Sequence, residues 1–320
     1  MTEVLAVDQL SIDYPLQRQS LFAPARWLRA VDNVSFSIAR GRALGLVGES
    51  GCGKSSIARA VMGLERPSVG NIRILGRDIF EMASRELLSF RHHFQMIFQD
   101  PYGSLDPRHT VGRIVAEPSR RPAAEMRDHV AASLEAVGLK SQDAAKYPHQ
   151  FSGGQRQRIA IARTLVTRPE LVVADEPVSA LDLSVQAQVL NLLRKLRETL
   201  GLTYLFISHE LAVVQYICDE VCVMFAGQIV ERGDARSVLS APAHPYTVAL
   251  RDAMPRLDHT GSRRRSRPPT EKASAETGPP SGCPYASRCT LAIPQCTTER
   301  PELRPLRSGQ LVACHVVQSP

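Results

Sequence analysis

A strand-like run, Ala43-Leu44-Gly45-Leu46-Val47, flows directly into Gly48-Glu49-Ser50-Gly51-Cys52-Gly53-Lys54-Ser55. No other stretch constrains the fold as tightly. The loop fits the spacing G-x-x-x-x-G-K-[ST], in which glycines let backbone N–H groups turn inward around phosphates. The lysine reaches the β- and γ-phosphates and the serine hydroxyl meets Mg²⁺. The helix that follows adds partial positive charge at its N-terminus. A second motif, Ser152-Gly153-Gly154-Gln155, also sets a serine and two glycines at a helix start and offers another anion site. One chain with both half-sites suggests a nucleotide clamped between two subunits.

Short apolar runs alternate with long helical patterns, which predicts an α/β fold with a mainly parallel sheet. Strands are expected over 4–12, 34–38, 43–47, 72–75, 94–98, 171–174, 203–207 and 221–225. The clearest helix is expected over 184–200, with Val185, Val189, Leu192, Leu193, Leu196 and Leu200 on one face and Gly201 as its stop. Between 103 and 165 the pattern is helical without a convincing strand, and this all-α insertion carries the Ser-Gly-Gly motif. Hydrophobic residues make up 43% of the 320, ample for a core. No apolar run approaches the roughly 18 residues of a membrane span, and the N-terminus does not read as a secretory signal. A cytosolic setting is expected.

The net charge of +7 raises the question of nucleic acid or lipid. Residues 256–282 hold six Lys/Arg against three Asp/Glu, amid Pro, Ser, Thr and Gly. That composition reads as a solvated basic linker, and no nucleic-acid partner is expected.

Leu171-Val172-Val173-Ala174-Asp175-Glu176 is an apolar strand ending in two acids. A buried parallel strand delivers side chains to its C-terminal edge, where ligands of α/β sheets sit. Asp175 is then placed to hold Mg²⁺ and Glu176 to activate an attacking water. Alone, two such acids read as a solvated strand end; beside the 48–55 loop they read as a site. His209, after the strand over 203–207, is a candidate for the γ-phosphate, and Gln99 for Mg²⁺ and the lytic water. Tyr14 is a candidate for stacking on adenine, with Phe22 and Trp27 as rivals and ordinary strand packing as the plain reading. Cys52 sits where a helix N-terminus lowers a thiol pKa, yet a passive small residue is the simpler role.

Taken in order, these residues carry a family resemblance. Gly48–Ser55, with Ser56 behind it, resembles a Walker A motif, Gln99 a Q-loop, and Phe151-Ser152-Gly153-Gly154-Gln155 an ABC signature. Leu171–Asp175 resembles a Walker B strand, Glu176 the catalytic glutamate, Ser179-Ala180-Leu181-Asp182 a D-loop, and His209 the switch histidine. The chain is similar to ATP-binding cassette subunits over about 1–255. The resemblance implies a RecA-like P-loop core, an N-terminal antiparallel β-subdomain, an α-helical subdomain over about 103–165 and a small Cys-rich C-terminal extension over 283–320. Phe98-Gln99-Asp100-Pro101-Tyr102, His149 to Gly154, Pro177 to Asp182 and His244-Pro245-Tyr246-Thr247 resemble the ATPases of dipeptide, oligopeptide and nickel importers. Pro177-Val178-Ser179 resembles the second of the two ATPases such importers often use.

The resemblance implies ATP and Mg²⁺ as cofactors, with Ser55, Gln99 and Asp175 on the metal and hydrolysis at Glu176. It also implies head-to-tail closure on a second cassette, a related subunit rather than a copy. Two membrane-spanning permease subunits, meeting segment 100–111, and an extracytoplasmic binding protein complete the assembly. The chain would then sit at the cytoplasmic face of the membrane. The rival readings are a cassette acting on ribosomes or DNA, and a non-catalytic scaffold gated by nucleotide.

Cys283, Cys289, Cys296 and Cys314 are spaced x5, x6 and x17, which fits neither paired C-x-x-C zinc knuckles nor the ferredoxin run. A tail of 38 residues is small enough that a staple is expected. The tail resembles the cysteine motif of the oligopeptide-importer ATPases, which implies a [4Fe–4S] cluster on these four residues. Zinc, using His315 as well, and a metal-free reduced tail are the alternatives.

Overall fold

The computed structural model describes residues 2–16, 26–100, 103–122, 124–253 and 281–317. From the N-terminus, β1 (Glu3–Pro15), β2 (Trp27–Ala39) and β3 (Ala43–Val47) precede α1 (Lys54–Val61). Next come β4 (Val69–Ile74), β5 (Arg77–Asp78), α2 (Ser84–Phe90) and β6 (Phe94–Ile97). The helical stretch holds α3 (Val111–Ala116), α4 (Arg127–Ala136) and α5 (Gly153–Leu165). It leads into β7 (Leu171–Asp175), α6 (Leu183–Leu200), β8 (Thr203–Ser208) and α7 (Leu211–Ile217). Then follow β9 (Glu220–Phe225), β10 (Gln228–Asp234), α8 (Ala235–Ser240) and α9 (Pro245–Asp252). The tail contributes α10 (Gln295–Thr298), β11 (Arg304–Pro305) and β12 (Leu311–Val312).

Two sheets divide the strands. The smaller is antiparallel in the order β2-β1-β4-β5, and the larger runs β11-β12-β10-β9-β3-β8-β7-β6. Strands β9, β3, β8, β7 and β6 pair in parallel, so their C-terminal ends share one edge. β3 and β8 are buried at every residue, which is why each reads as an almost unbroken apolar run. On β3, Leu44 and Leu46 face the core under the small sheet, while Ala43 and Val47 face the core under the helical stretch. At Gly45 an added Cβ would stand 2.4 Å from Val214 Cγ1, so α7 packs directly on the strand backbone.

No strand occurs among the described residues between 103 and 165, as the helical pattern predicts. Helix α6 begins on Asp182, whose carboxylate accepts the Val185 N–H at 3.0 Å, and ends on Gly201 at φ 67°. Val189, Leu192, Leu193 and Leu196 are buried as expected, and Leu190 joins them. Leu200 does not: it is 55% exposed, because the last turn has passed the edge of the core.

The tail is not a free-standing appendage. β12 pairs with β10 through Glu231↔Val312 and Arg232↔Leu311, extending the main sheet by two strands. Tyr285, Cys296, Val312 and Ala313 are buried, and Arg300 pairs with the nearly buried Asp32 of β2 at 2.5 Å. The tail borrows the core of the larger body, which removes the physical need for a staple of its own. Residues 256–280, most of the expected basic linker, lie outside the described residues, as does Phe22.

Candidate functional site

The loop after β3 wraps around its own lysine. Lys54 is only 6% exposed, and its Nζ donates to the carbonyls of Gly48 at 2.8 Å and Glu49 at 2.9 Å. Gly53 sits at φ 104°, and a Cβ there would stand 2.4 Å from the Ala30 carbonyl oxygen. The glycine is therefore required both by backbone conformation and by the close approach of β2. Ser50 and Gly51 form the exposed rim of the loop. Cys52 is buried, and desolvation pushes its thiol up rather than down, in keeping with the passive role.

The acids at the end of β7 stand beside this loop. Asp175 and the Ser55 hydroxyl are hydrogen-bonded, while the Asp175 Oδ1 atom is buried without a partner. Burial, followed by the neighbouring Glu176 charge, raises the Asp175 pKa above the usual carboxylate value. A carboxylate with an unpaired buried oxygen next to a hydroxyl is a hard, oxygen-only donor set, and it fits Mg²⁺.

Glu176 is held on every side. Its backbone sits at φ 46°, a left-handed conformation that costs energy for a residue with a Cβ. The surroundings enforce it: the Glu176 N–H donates to Ile207 O at 3.0 Å, and its carbonyl accepts from the Ser179 N–H and hydroxyl. On the side chain, Oε1 lies 3.1 Å from His209 Nδ1, and Oε2 accepts from Gln99 Nε2 at 3.1 Å. Three residues named from the ends of β6, β7 and β8 thus meet at one point. The carboxylate is 19% exposed and the imidazole 50%, so the group opens to solvent.

Tyr14 lies near the end of β1, with its hydroxyl donating to Glu65 Oε2 at 2.6 Å and lying 3.1 Å from Ser56 Oγ. That puts its ring beside the first turn of α1. Trp27 pairs with Pro15 across the strands and is 55% exposed. The signature residues lie elsewhere, on the helical part. Ser152 caps α5 in a reciprocal box with Gln155, both exposed, while Phe151 is buried. Gly154 has Val185 Cγ1 2.4 Å from where a Cβ would stand, which brings α5 against the start of α6 and Asp182.

Sequence reasoning missed Gln157, fully buried, whose Nε2 donates to Pro177 O at 2.6 Å and ties the signature helix to the loop after Glu176. The signal was available: a glutamine two residues beyond Gln155, leading into the apolar face of α5. It also missed the grip on Glu49 by Tyr246 and Arg288. In the tail, all four cysteines are free thiols; burial raises the Cys283 pKa, and Cys296, Cys314 and Cys289 lie close enough to add to that shift. They are neighbours without being a formed ligand set: among the described residues no group of three or more His, Cys, Asp or Glu is arranged to hold a metal ion.

A glycine-rich loop at a parallel sheet edge, a buried acid, a glutamate at positive φ and a separate Ser-Gly-Gly helix start together match the class of ABC-type ATPases. Residues 31–179 match the family model described as ABC transporter, and 230–296 match that of the oligopeptide/dipeptide transporter C-terminal region. The dipeptide transport ATP-binding protein DppF of Escherichia coli is 46% identical over 316 residues, 98% of this chain and 93% of that protein. DppF of Haemophilus influenzae is 46% identical over 94% of this chain and 93% of its own length. The fold is similar to the ATP-binding cassette MJ0796 in its dimeric post-hydrolysis state with ADP and phosphate. The match has a TM-score of 0.63 at 26% identity and covers 72% of this chain and 99% of that one. The chain belongs to the ABC transporter ATPases of the dipeptide/oligopeptide importer family.

Proposed function

We propose that this chain is the ATP-hydrolysing subunit that energises a peptide-type importer, as one of a pair of cassettes that close on ATP and reopen after hydrolysis. One observation carries the reading: Glu176 stands between Gln99 and His209 at the edge where Lys54, Ser55 and Asp175 also meet.

In this reading Lys54 and the N–H groups of the loop hold the β- and γ-phosphates. Ser55 and Asp175, with Gln99 alongside, hold Mg²⁺, which when bound neutralises charge developing on the phosphates. Glu176 takes a proton from the attacking water, and His209 orients that carboxylate and reaches the γ-phosphate. Tyr14 stacks on adenine. Ser152, Gly153 and Gly154, at the exposed start of the 13-residue α5, cover the γ-phosphate held by the partner cassette, as Asp182 packs across the joint. Segment 100–111 receives the permease subunits at the cytoplasmic face of the membrane. No helix among the described residues is long and apolar enough to cross a membrane.

The DppF relatives are dipeptide transport ATP-binding proteins, which supports di- or oligopeptide cargo. Among the described residues no three of His, Cys, Asp or Glu are arranged to hold a metal ion, and no step of the cycle is assigned to a [4Fe–4S] cluster or zinc on the tail.

Affinity purification from native membranes in mild detergent, done anaerobically, tests the whole reading. Two multi-span subunits and a second cassette are expected; recovery alone, or with ribosomes or DNA, would contradict it. Iron or zinc in the same material would support a metal on the tail, and metal-free protein would exclude it.

A further inference from the structure

The cysteine tail touches the phosphate loop, and the hydrolytic reading makes no use of that contact. Glu49, second residue of the loop, is gripped from two sides. Its N–H donates to the Tyr246 hydroxyl at 2.9 Å. Its carboxylate accepts both ends of one guanidinium, Arg288 Nη1 at 3.0 Å on Oε2 and Nη2 at 2.9 Å on Oε1. Arg288 closes the single 3₁₀ turn Ala286–Arg288, next to Cys289.

The guanidinium is oriented before it meets the carboxylate. It lies over the rings of Phe225 at 5.4 Å and Tyr285 at 5.6 Å. Those two rings and Tyr246 form one aromatic block, with centroids 4.7 to 5.5 Å apart. Phe225 ends β9, Tyr246 lies in the first turn of α9 and Tyr285 belongs to the tail. A continuous set of contacts therefore runs from the tail through the His244–Thr247 segment to the loop that cradles phosphate.

We propose that Arg288 is a positioning residue for nucleotide binding: through its two-pronged bond to Glu49, the tail sets the conformation of the phosphate loop and with it the affinity for ATP. The loop needs such help. Gly48, Gly51 and Gly53 all adopt positive φ, and glycine backbone has little conformational preference of its own. Contacts that fix Glu49 reduce the ordering left to be done when phosphate binds. A bidentate arginine–carboxylate pair fixes direction as well as distance, which a lysine point charge does not. With side chains 24% and 45% exposed, the pair adds little to global stability. Its effect falls on geometry, and whatever orders residues 283–289 also orders Glu49.

The inference rests on the reading that residues 48–55 bind ATP. The test compares full-length wild type with R288Q, R288K, E49Q and the R288Q/E49Q double variant. Calorimetry gives Kd for ATP with Mg²⁺, phosphate release gives kcat, and thermal melts are run in parallel. R288Q and E49Q are each expected to raise Kd roughly two- to fivefold, the effect of a partly exposed ion pair. R288Q should leave kcat and melting near wild type, R288K should recover only part of the affinity, and the double variant should be no worse than the weaker single. Wild-type Kd in R288Q, effects that multiply in the double variant, or a Kd change that tracks lost folded protein would overturn the proposal. A K54A chain that still binds ATP as tightly as wild type would instead overturn the reading of the loop itself.

Discussion

Glu176→Gln is expected to lower steady-state ATP turnover ~10²–10⁴-fold, the range for losing a general base, while ATP still binds. The amide keeps the size of the carboxylate and its neighbours. Gln99 Nε2 and His209 Nδ1 now lie 3.1 Å from its two oxygens, and the backbone at φ 46° is held by Ile207 and Ser179 independently of the side chain. What disappears is the ability to take a proton from water. Phosphate release by the purified assembly gives the rate, and nucleotide retention gives the binding. With hydrolysis blocked, closed pairs of cassettes should accumulate with ATP between them. Turnover within a few-fold of wild type would remove Glu176 from the chemistry and leave the convergence at the sheet edge unexplained.

Acid is expected to weaken the folded protein through His244. This residue is 1% exposed, its Nδ1 accepts the Tyr246 N–H at 3.0 Å, and the Ala313 backbone lies on its other side. Burial lowers its pKa from the ordinary 6.5 to about 4, so the folded state binds this proton less readily than the unfolded chain. The sign follows: the stability is fully present above pH 6.5 and is lost as pH falls toward 4, because only unfolding lets the ring charge. At 1.36 kcal/mol per pH unit the loss reaches about 3 kcal/mol by pH 4. Glu231, buried beneath the same turn and accepting the Ala243 and His244 N–H groups, has a raised pKa and pulls the other way. A comparison with His244→Asn cancels that contribution, since asparagine can still accept at the helix cap. Chemical unfolding of both proteins from pH 7 to 4 should give a steeper decline for wild type. Parallel declines would remove His244 as the cause.

The part of the fold most legible in the sequence was the part where burial is complete. β3 was expected over 43–47 and runs over those residues, and β7 and β8 differ from expectation by one residue at one end. Their apolar runs leave no ambiguity once a phosphate loop fixes which strand comes first. β2 was read as starting at 34 but starts at Trp27, because its first three residues are exposed and carry no alternation. β10 was missed altogether. Its sequence, QIVERGD, looks like a turn, and only the structure reveals that Glu231 is buried to receive two backbone N–H groups from the start of α9.

The candidate site was legible because each residue follows a recognisable strand end, and sheet topology does the rest. Gln99, Glu176 and His209 are far apart in sequence and adjacent in space because β6, β7 and β8 are neighbours. The tail was legible only as cysteines. That it pairs with β10 and reaches Glu49 depends on two short strands and a single turn, too brief to leave a periodic pattern. The role of the His244–Thr247 motif emerged only with that contact.

Peptide flux across reconstituted membranes tests the central claim most directly. Proteoliposomes would hold the assembled complex with this chain facing an ATP-containing medium, and labelled peptide with its binding protein inside. Flux that requires ATP, and stops when Glu176→Gln replaces the wild-type chain, is the predicted result. Steady ATP hydrolysis with no movement of any di- or oligopeptide would contradict it.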